Sequence, residues 1–127
     1  MQGIMRLPLL VAILASCMIA GCRADQAVPS NREAFIGGYV YKSLDTSVDR
    51  ATDHELDRLT LQADGKYVLV QGGSTKAKTE KAGVWHLAGG DPPNVELDHY
   101  GYPIRVEGNQ IQLLINDDLG EWYQKVR

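Results

Sequence analysis

The sequence predicts an all-β domain, a small antiparallel meander of about eight strands closing into a barrel, with a β-sandwich as the runner-up. Three observations predict it. Beyond Phe35 apolar and polar residues alternate with a period of two, turn residues interrupt that alternation at short intervals, and no segment sustains helical spacing.

The clearest strands are those whose alternation is strict. Leu59 and Leu61 stand against Arg58, Thr60 and Gln62; Val95 and Leu97 against Glu96 and Asp98; Ile104 and Val106 against Arg105 and Glu107; Ile111, Leu113 and Ile115 against Gln112 and Asn116. In each, one face is expected to look inward and the other to water. Further strands are expected at 37–42, 66–71, 81–87 and 121–126, where Tyr39, Tyr41, Tyr67, Leu69, Trp85, Leu87, Trp122 and Tyr123 supply bulk. Leu59, Leu61, Leu69, Trp85, Leu113 and Ile115 are expected to be buried together. Asp64-Gly65 and Gly108-Asn109 suit tight hairpins, because these residues tolerate the positive φ such turns need. The stretch 89–94 is too rich in Gly and Pro to be anything but a loop, and 116–120 reads as a longer hairpin connection. Consecutive hairpins imply neighbouring antiparallel strands, and at eight strands a barrel is either filled by side chains or holds one small ligand.

The amino-terminal part has a different build. A short positive start ends at Arg6, an apolar run extends from Leu7 to Ala20, and small residues follow. That run is too short to span a bilayer comfortably. It leads into Ile19-Ala20-Gly21-Cys22, which resembles the lipobox of bacterial lipoproteins: a branched apolar residue, two small residues and a cysteine. The resemblance implies a signal peptide over 1–21, cleavage between Gly21 and Cys22, and attachment of lipid, palmitate among its chains, to Cys22. More than one acyl chain makes release from a membrane slow. Arg23 follows the cysteine, and in the Gram-negative family a residue other than Asp there implies transfer to the outer membrane, facing the periplasm. Residues 22–35 are expected to be a lipidated tether and linker, polar and unpatterned around Pro29, and 36–127 the barrel domain, folding on its own from about Ala34.

Composition narrows the partners. From residue 22 onward 12 Lys and Arg face 16 Asp and Glu, a net charge near −4, whereas a nucleic-acid binder usually carries a basic excess. Of the two cysteines, Cys17 falls in the signal segment and Cys22 in the lipobox, so no disulfide is expected within the domain and a monomer needs none.

A second resemblance covers most of residues 36–126. Leu59-Thr-Leu-Gln-Ala-Asp-Gly-Lys-Tyr67, Gly83-Val-Trp85, Gly108-Asn-Gln-Ile-Gln-Leu113 and Gly120-Glu-Trp-Tyr-Gln-Lys125 are similar to the lipocalin-like barrels of bacterial envelope lipoproteins, including the amino-terminal domain of the copper-resistance envelope-stress lipoprotein. The elements are turn and strand chemistry and bear on fold more than function. This chain departs from that lipoprotein in lacking a Cys-x-x-Cys pair, so copper binding through thiolates is not expected.

No constellation commands a chemistry. His54, His86 and His99 lie on separate segments without close spacing, so no metal site is expected, and His86 should point outward if the adjacent Trp85 is core. Asp45, Asp49, Asp53 and Asp57 recur every four residues, an acidic stripe if helical, otherwise a solvated loop or short helix across the barrel end with Leu44 and Val48 tucked beneath. Lys76, Lys78 and Lys81 suggest an edge that resists pairing. Ser43, Ser47 and Ser74 sit outside any Gly-x-Ser-x-Gly elbow, and no carboxylate pair stands out. His99, Tyr100 and Tyr102 form an aromatic, turn-like cluster, a candidate recognition surface at a barrel mouth. The sequence therefore leads to a membrane-anchored, non-enzymatic envelope module, without cofactor, that binds a protein partner or a small apolar ligand. A periplasmic inhibitor or immunity protein and a periplasmic enzyme are the alternatives.

Overall fold

The computed structural model describes residues 27–126. Gly21 and Cys22, with the cleavage and lipidation expected there, lie outside the described residues. A 3-10 helix, Arg32–Phe35, leads into eight strands: β1 Gly37–Ser43, β2 Arg58–Leu61, β3 Lys66–Gly73, β4 Lys76–Ala88, β5 Asn94–Leu97, β6 Tyr100–Glu107, β7 Gln110–Asn116 and β8 Glu121–Lys125. One α-helix, α1 (Val48–Asp53), interrupts the β1–β2 connection. Each strand pairs antiparallel with its successor, and β8 closes onto β1 with Tyr41 opposite Tyr123. The architecture is the barrel, not the sandwich.

Alternation produces the core as expected. Leu59, Leu61, Leu69, Trp85 and Leu113 are buried, joined by Tyr39, Tyr67, Tyr123, Val95, Leu97, Ile104 and Ile111. Ile115, expected among them, is half-buried and packs at the margin of the cluster. An eight-stranded barrel has an interior just wide enough for side chains. Here large aromatic rings fill it, and no buried side-chain nitrogen or oxygen of the described residues lacks a hydrogen-bond partner. Tyr39 donates to the Phe35 carbonyl at 2.7 Å, and the Trp85 indole to the Gln62 carbonyl at 2.8 Å.

Two turns differ from expectation in detail. Among the described residues Asp98 alone, apart from glycines, has a positive φ, 56°. Asp64 and Asn109 therefore do not share the left-handed conformation of Gly65 and Gly108, and each turn takes its reversal from one glycine rather than two adjacent positive-φ residues. β4 is also longer than its alternation predicts, beginning at Lys76 rather than Lys81. Residues 76–84 pair with β3, whereas β5 meets β4 only from Trp85 to Ala88. The first half of β4 thus has a free edge, and Lys76, Lys78 and Lys81 lie along it, as lysines do where strand addition must be resisted.

The segment before β1 is not a free linker. Phe35 is completely buried, Val28 packs against the core, and the Arg32 guanidinium lies 4.5 Å over the Trp85 ring while donating to the Ala63 carbonyl at 3.0 Å. Residues 27–36 plug the end of the barrel from which β1 starts, so the folded unit begins earlier than Ala34. No signal marks this in the sequence, because a plug contributes isolated residues rather than a period.

Candidate functional site

The opposite end of the barrel carries the β1–β2 connection with α1, the β3–β4 and β5–β6 turns and the β7–β8 turn. The inward positions of the strands run on into this end, but there they are polar. Asp57 continues the inward series of Leu59 and Leu61, and Glu121 that of Tyr123; both are buried. Asp57 is held from two sides. His54 Nδ1 lies 2.7 Å from Asp57 Oδ2, and the Gly72 backbone N–H donates to Oδ1 at 2.8 Å. The His54 ring stacks on Tyr41 at 4.0 Å between centroids, and the Tyr41 hydroxyl and the Arg50 guanidinium both donate to Glu121. Arg50 also approaches Asp45 at 3.7 Å.

This polar layer sews α1 onto the barrel mouth. Burial, followed by the hydrogen bond to Glu121, pushes the Tyr41 hydroxyl up to about 12, so it stays neutral and keeps donating. The Asp45 carboxyl is held below the usual range, first by the Ser47 backbone N–H, then by the Ser47 hydroxyl and the Arg50 charge. Ser47 caps α1, accepting from the Arg50 N–H, which explains why a six-residue helix forms here. The β3–β4 turn is drawn in as well: Ser74 N–H donates to the Thr52 carbonyl at 2.9 Å, and its hydroxyl to Glu55 at 2.5 Å. Ser43 accepts the Asp45 N–H. The three serines considered as nucleophiles are thus occupied in holding turns.

A cleft of about 520 Å³ opens between this connection and the outer edge of β1 and β2, lined by Tyr41, Lys42, Ser43, Asp45, Arg50 and His54 among others. The His54 ring is held by Asp57 at Nδ1 and by Tyr41 across its face. The arrangement fixes the ring's orientation. Among the described residues no three His, Cys, Asp or Glu side chains converge as metal ligands.

The structure separates the residues picked from the sequence. Tyr102 is buried, packed edge-on against Tyr100 at 5.0 Å and tilted against Tyr123 at 6.1 Å, so it belongs to the core and not to a recognition surface. His99 and Tyr100 are exposed at the β5–β6 turn. His86 points outward and meets its cross-strand partner Glu96 at 2.8 Å, as its position beside Trp85 requires. The four-residue spacing of aspartates does not make a stripe, because only Asp49 and Asp53 lie on α1 while Asp57 turns inward. Leu44 and Val48, expected beneath the connection, are each 75% exposed. Arg50, His54 and Tyr41 fill the mouth, so the apolar pair is left outside.

In the sequence His54 stands among separate histidines and Asp57 in a spaced acidic series with nothing to join them, and neither Arg50 nor Glu121 is singled out. Asp57 and Glu121 were legible in principle, since each extends an inward alternation by one step with a charged residue. Comparison with protein-family models, curated proteins and solved structures finds no match in any of the three. The site's geometry is therefore what bears on function.

Proposed function

We propose that this chain is a lipid-anchored module of the bacterial envelope, non-enzymatic, that engages a protein partner through the barrel end opposite its tether. The observation that carries this is the plugging of the other end. Residues 27–36 cover the end where β1 begins, and Cys22 precedes Ala27 by only five residues, a reach of about 18 Å at most. A membrane anchor at Cys22 would hold that end near the lipid and present the end with α1 to the surroundings.

The packed interior supports a protein partner over a small apolar ligand. A carrier of apolar molecules needs an unfilled apolar cavity, and the barrel core holds Tyr39, Tyr67, Trp85 and Tyr123 in that space. No helix among the described residues is long and apolar enough to cross a membrane, so attachment by the lipobox is the route this reading uses. Placement in the outer membrane, facing the periplasm, rests on Arg23.

Cys22→Ala tests the anchor: the precursor should accumulate uncleaved and take up no labelled palmitate. Normal processing and labelling would reject it. Because the mature chain has no other cysteine, a single thiol can then be placed at will. A photoreactive label on Leu119→Cys, at the α1 end, should form a protein adduct in the envelope that the same label on Asn109→Cys, at the plugged end, does not. Adducts only from position 109 would reverse the assignment of the binding end.

A further inference from the structure

Resting on that reading of the α1 end, we infer that the partner presents a cationic protein surface around an apolar contact. Among the described residues five of the seven exposed large apolar side chains, Leu44, Val48, Leu56, Tyr100 and Leu119, are on or beside the connections of the α1 end, while Val84 lies on β4 and Val126 follows β8. Leu44 and Leu119 belong to one patch. Leu44 N–H donates to the Gly120 carbonyl at 2.9 Å, and a Cβ on Gly120 would stand 2.6 Å from Leu44 Cδ1. Val48 stands four residues further on and opens α1.

The same end is acidic. The β1–β2 connection holds Asp45, Asp49, Asp53, Glu55 and Asp57 against one base, Arg50, and the β7–β8 turn adds Asp117 and Asp118, so acids outnumber bases even with Lys42, Arg58 and Lys76 at the adjoining strand ends. Arg50 is already committed to Glu121 and Asp45. Hydroxyls of Thr75 and Ser74 satisfy Asp53 and Glu55 but neutralise neither. Asp49, Asp117 and Asp118 are exposed around the apolar residues, Asp117 with the Arg105 guanidinium at 3.8 Å.

Charge decides the occupant. A second copy docked end to end would set Asp45, Asp49, Asp117 and Asp118 against their own likes, a juxtaposition that interfaces avoid. Anionic headgroups and nucleic-acid phosphates are rejected on the same ground. A basic protein surface is attracted by the acids and gains from covering Leu44, Val48 and Leu119, an arrangement of apolar centre and charged rim found at protein interfaces. The polar layer beneath, from Asp57 to Glu121, holds the surface rigid and lowers the cost of ordering on contact.

The test uses the full lipidated chain carrying the photoreactive label on Leu119→Cys or Leu44→Cys, in the native envelope, at low and high ionic strength. The expected result is a protein adduct from both positions whose yield falls several-fold between about 50 and 300 mM salt, as screening of exposed charges requires. In Asp49→Asn, Asp117→Asn, Asp118→Asn combined, the adduct should fall about tenfold and lose its salt dependence, with melting temperature unchanged because these residues are exposed. The adduct protein, once identified and purified, should contact the label through a face rich in Lys and Arg. An adduct that is insensitive to both salt and the triple substitution overturns the cationic inference while leaving the binding end as assigned. Adducts only from position 109, or to lipid alone, overturn both. Binding of a chain beginning at Ala27 to phosphatidylglycerol vesicles would likewise overturn the inference.

Discussion

The Asp57 carboxyl is almost wholly buried and bonded to one backbone N–H and one imidazole. Asp57→Ala should cost on the order of 1–3 kcal/mol, because the Gly72 N–H is left buried without an acceptor. Equilibrium denaturation checks it, and His54→Ala should cost less because that backbone bond survives. Leu113→Ala, in the apolar core, should cost about 2–5 kcal/mol; an unchanged midpoint would contradict its complete burial. The buried phenols make the fold sensitive to alkali. Burial, with Asp98 as acceptor, pushes the Tyr67 hydroxyl up to about 12, and burial pushes Tyr102 to about 12. An unfolded tyrosine titrates near about 10. The stability these neutral phenols contribute is therefore fully present below about pH 10 and lost as pH rises through about 12. Denaturation midpoints should fall across that window together with the appearance of tyrosinate absorbance, and a chain that ionised these tyrosines while remaining folded would refute the assignment. Single residues were unevenly legible. Leu59, Leu61 and Leu113 follow from alternation alone, whereas Tyr100 and Tyr102 share a face of β6 and differ only in depth along the barrel, which a period of two does not encode.

At the scale of elements, α1 and the β3–β4 turn form one packed unit. A Cβ on Gly73 would stand 1.7 Å from the Thr52 carbonyl oxygen and 2.7 Å from the Asp53 carbonyl carbon, both backbone. Gly73→Ala must push the helix away, and overpacking of this kind costs about 1–3 kcal/mol or more. It should also loosen the Ser74 to Thr52 hydrogen bond, visible as faster amide exchange at Ser74. At the other end, a chain beginning at Ala27 should melt like one beginning at Cys22, while one beginning at Ile36 loses Phe35 and should be less stable by about 3–5 kcal/mol, the usual cost of deleting a buried phenylalanine. Equal melting temperatures would show that the plug contributes nothing. Strand positions were read well wherever one face is buried. The first half of β4 escaped because residues 76–82 are exposed throughout, so pairing with β3 makes the strand and no apolar series announces it. The plug escaped for the same kind of reason.

For the whole molecule, closure is decided by the pairing of β1 with β8, a contact between the first and last strands that no local pattern specifies. Antiparallel neighbours joined by short turns curl in one sense because strands twist, and eight of them bring the ends together. The register leaves edges unpaired where residues 100–103 of β6 meet β5 alone and along the first half of β4, where Asp98 marks the start of the gap. Its carboxylate accepts from the Tyr67 hydroxyl at 2.7 Å and the Val84 N–H at 3.1 Å, which hold it below the usual carboxylate range. This contribution is present above about pH 4 and lost as pH falls through the lowered value. A Cβ on Gly83 would lie 2.5 Å from both Asp98 oxygens, so Gly83→Ala should break this corner. Sedimentation should show a monomer for the wild-type chain beginning at Ala27, and self-association for Lys76→Val, Lys78→Val, Lys81→Val, because the edge would lose the charges that guard it.

The strand that follows the plug is also the strand that closes the barrel, and this has a mechanical consequence. β1 is bonded to β2 on one side and β8 on the other, and its hydrogen bonds run across the strand direction. A pull between the amino-terminal side of the plug and a partner gripping Leu119 would be directed along β1. Both rows of bonds would then be loaded in shear and would have to fail together, where a pull on the carboxyl-terminal strand would peel one row open bond by bond. The domain is strongest along the line joining its proposed anchor to its proposed partner.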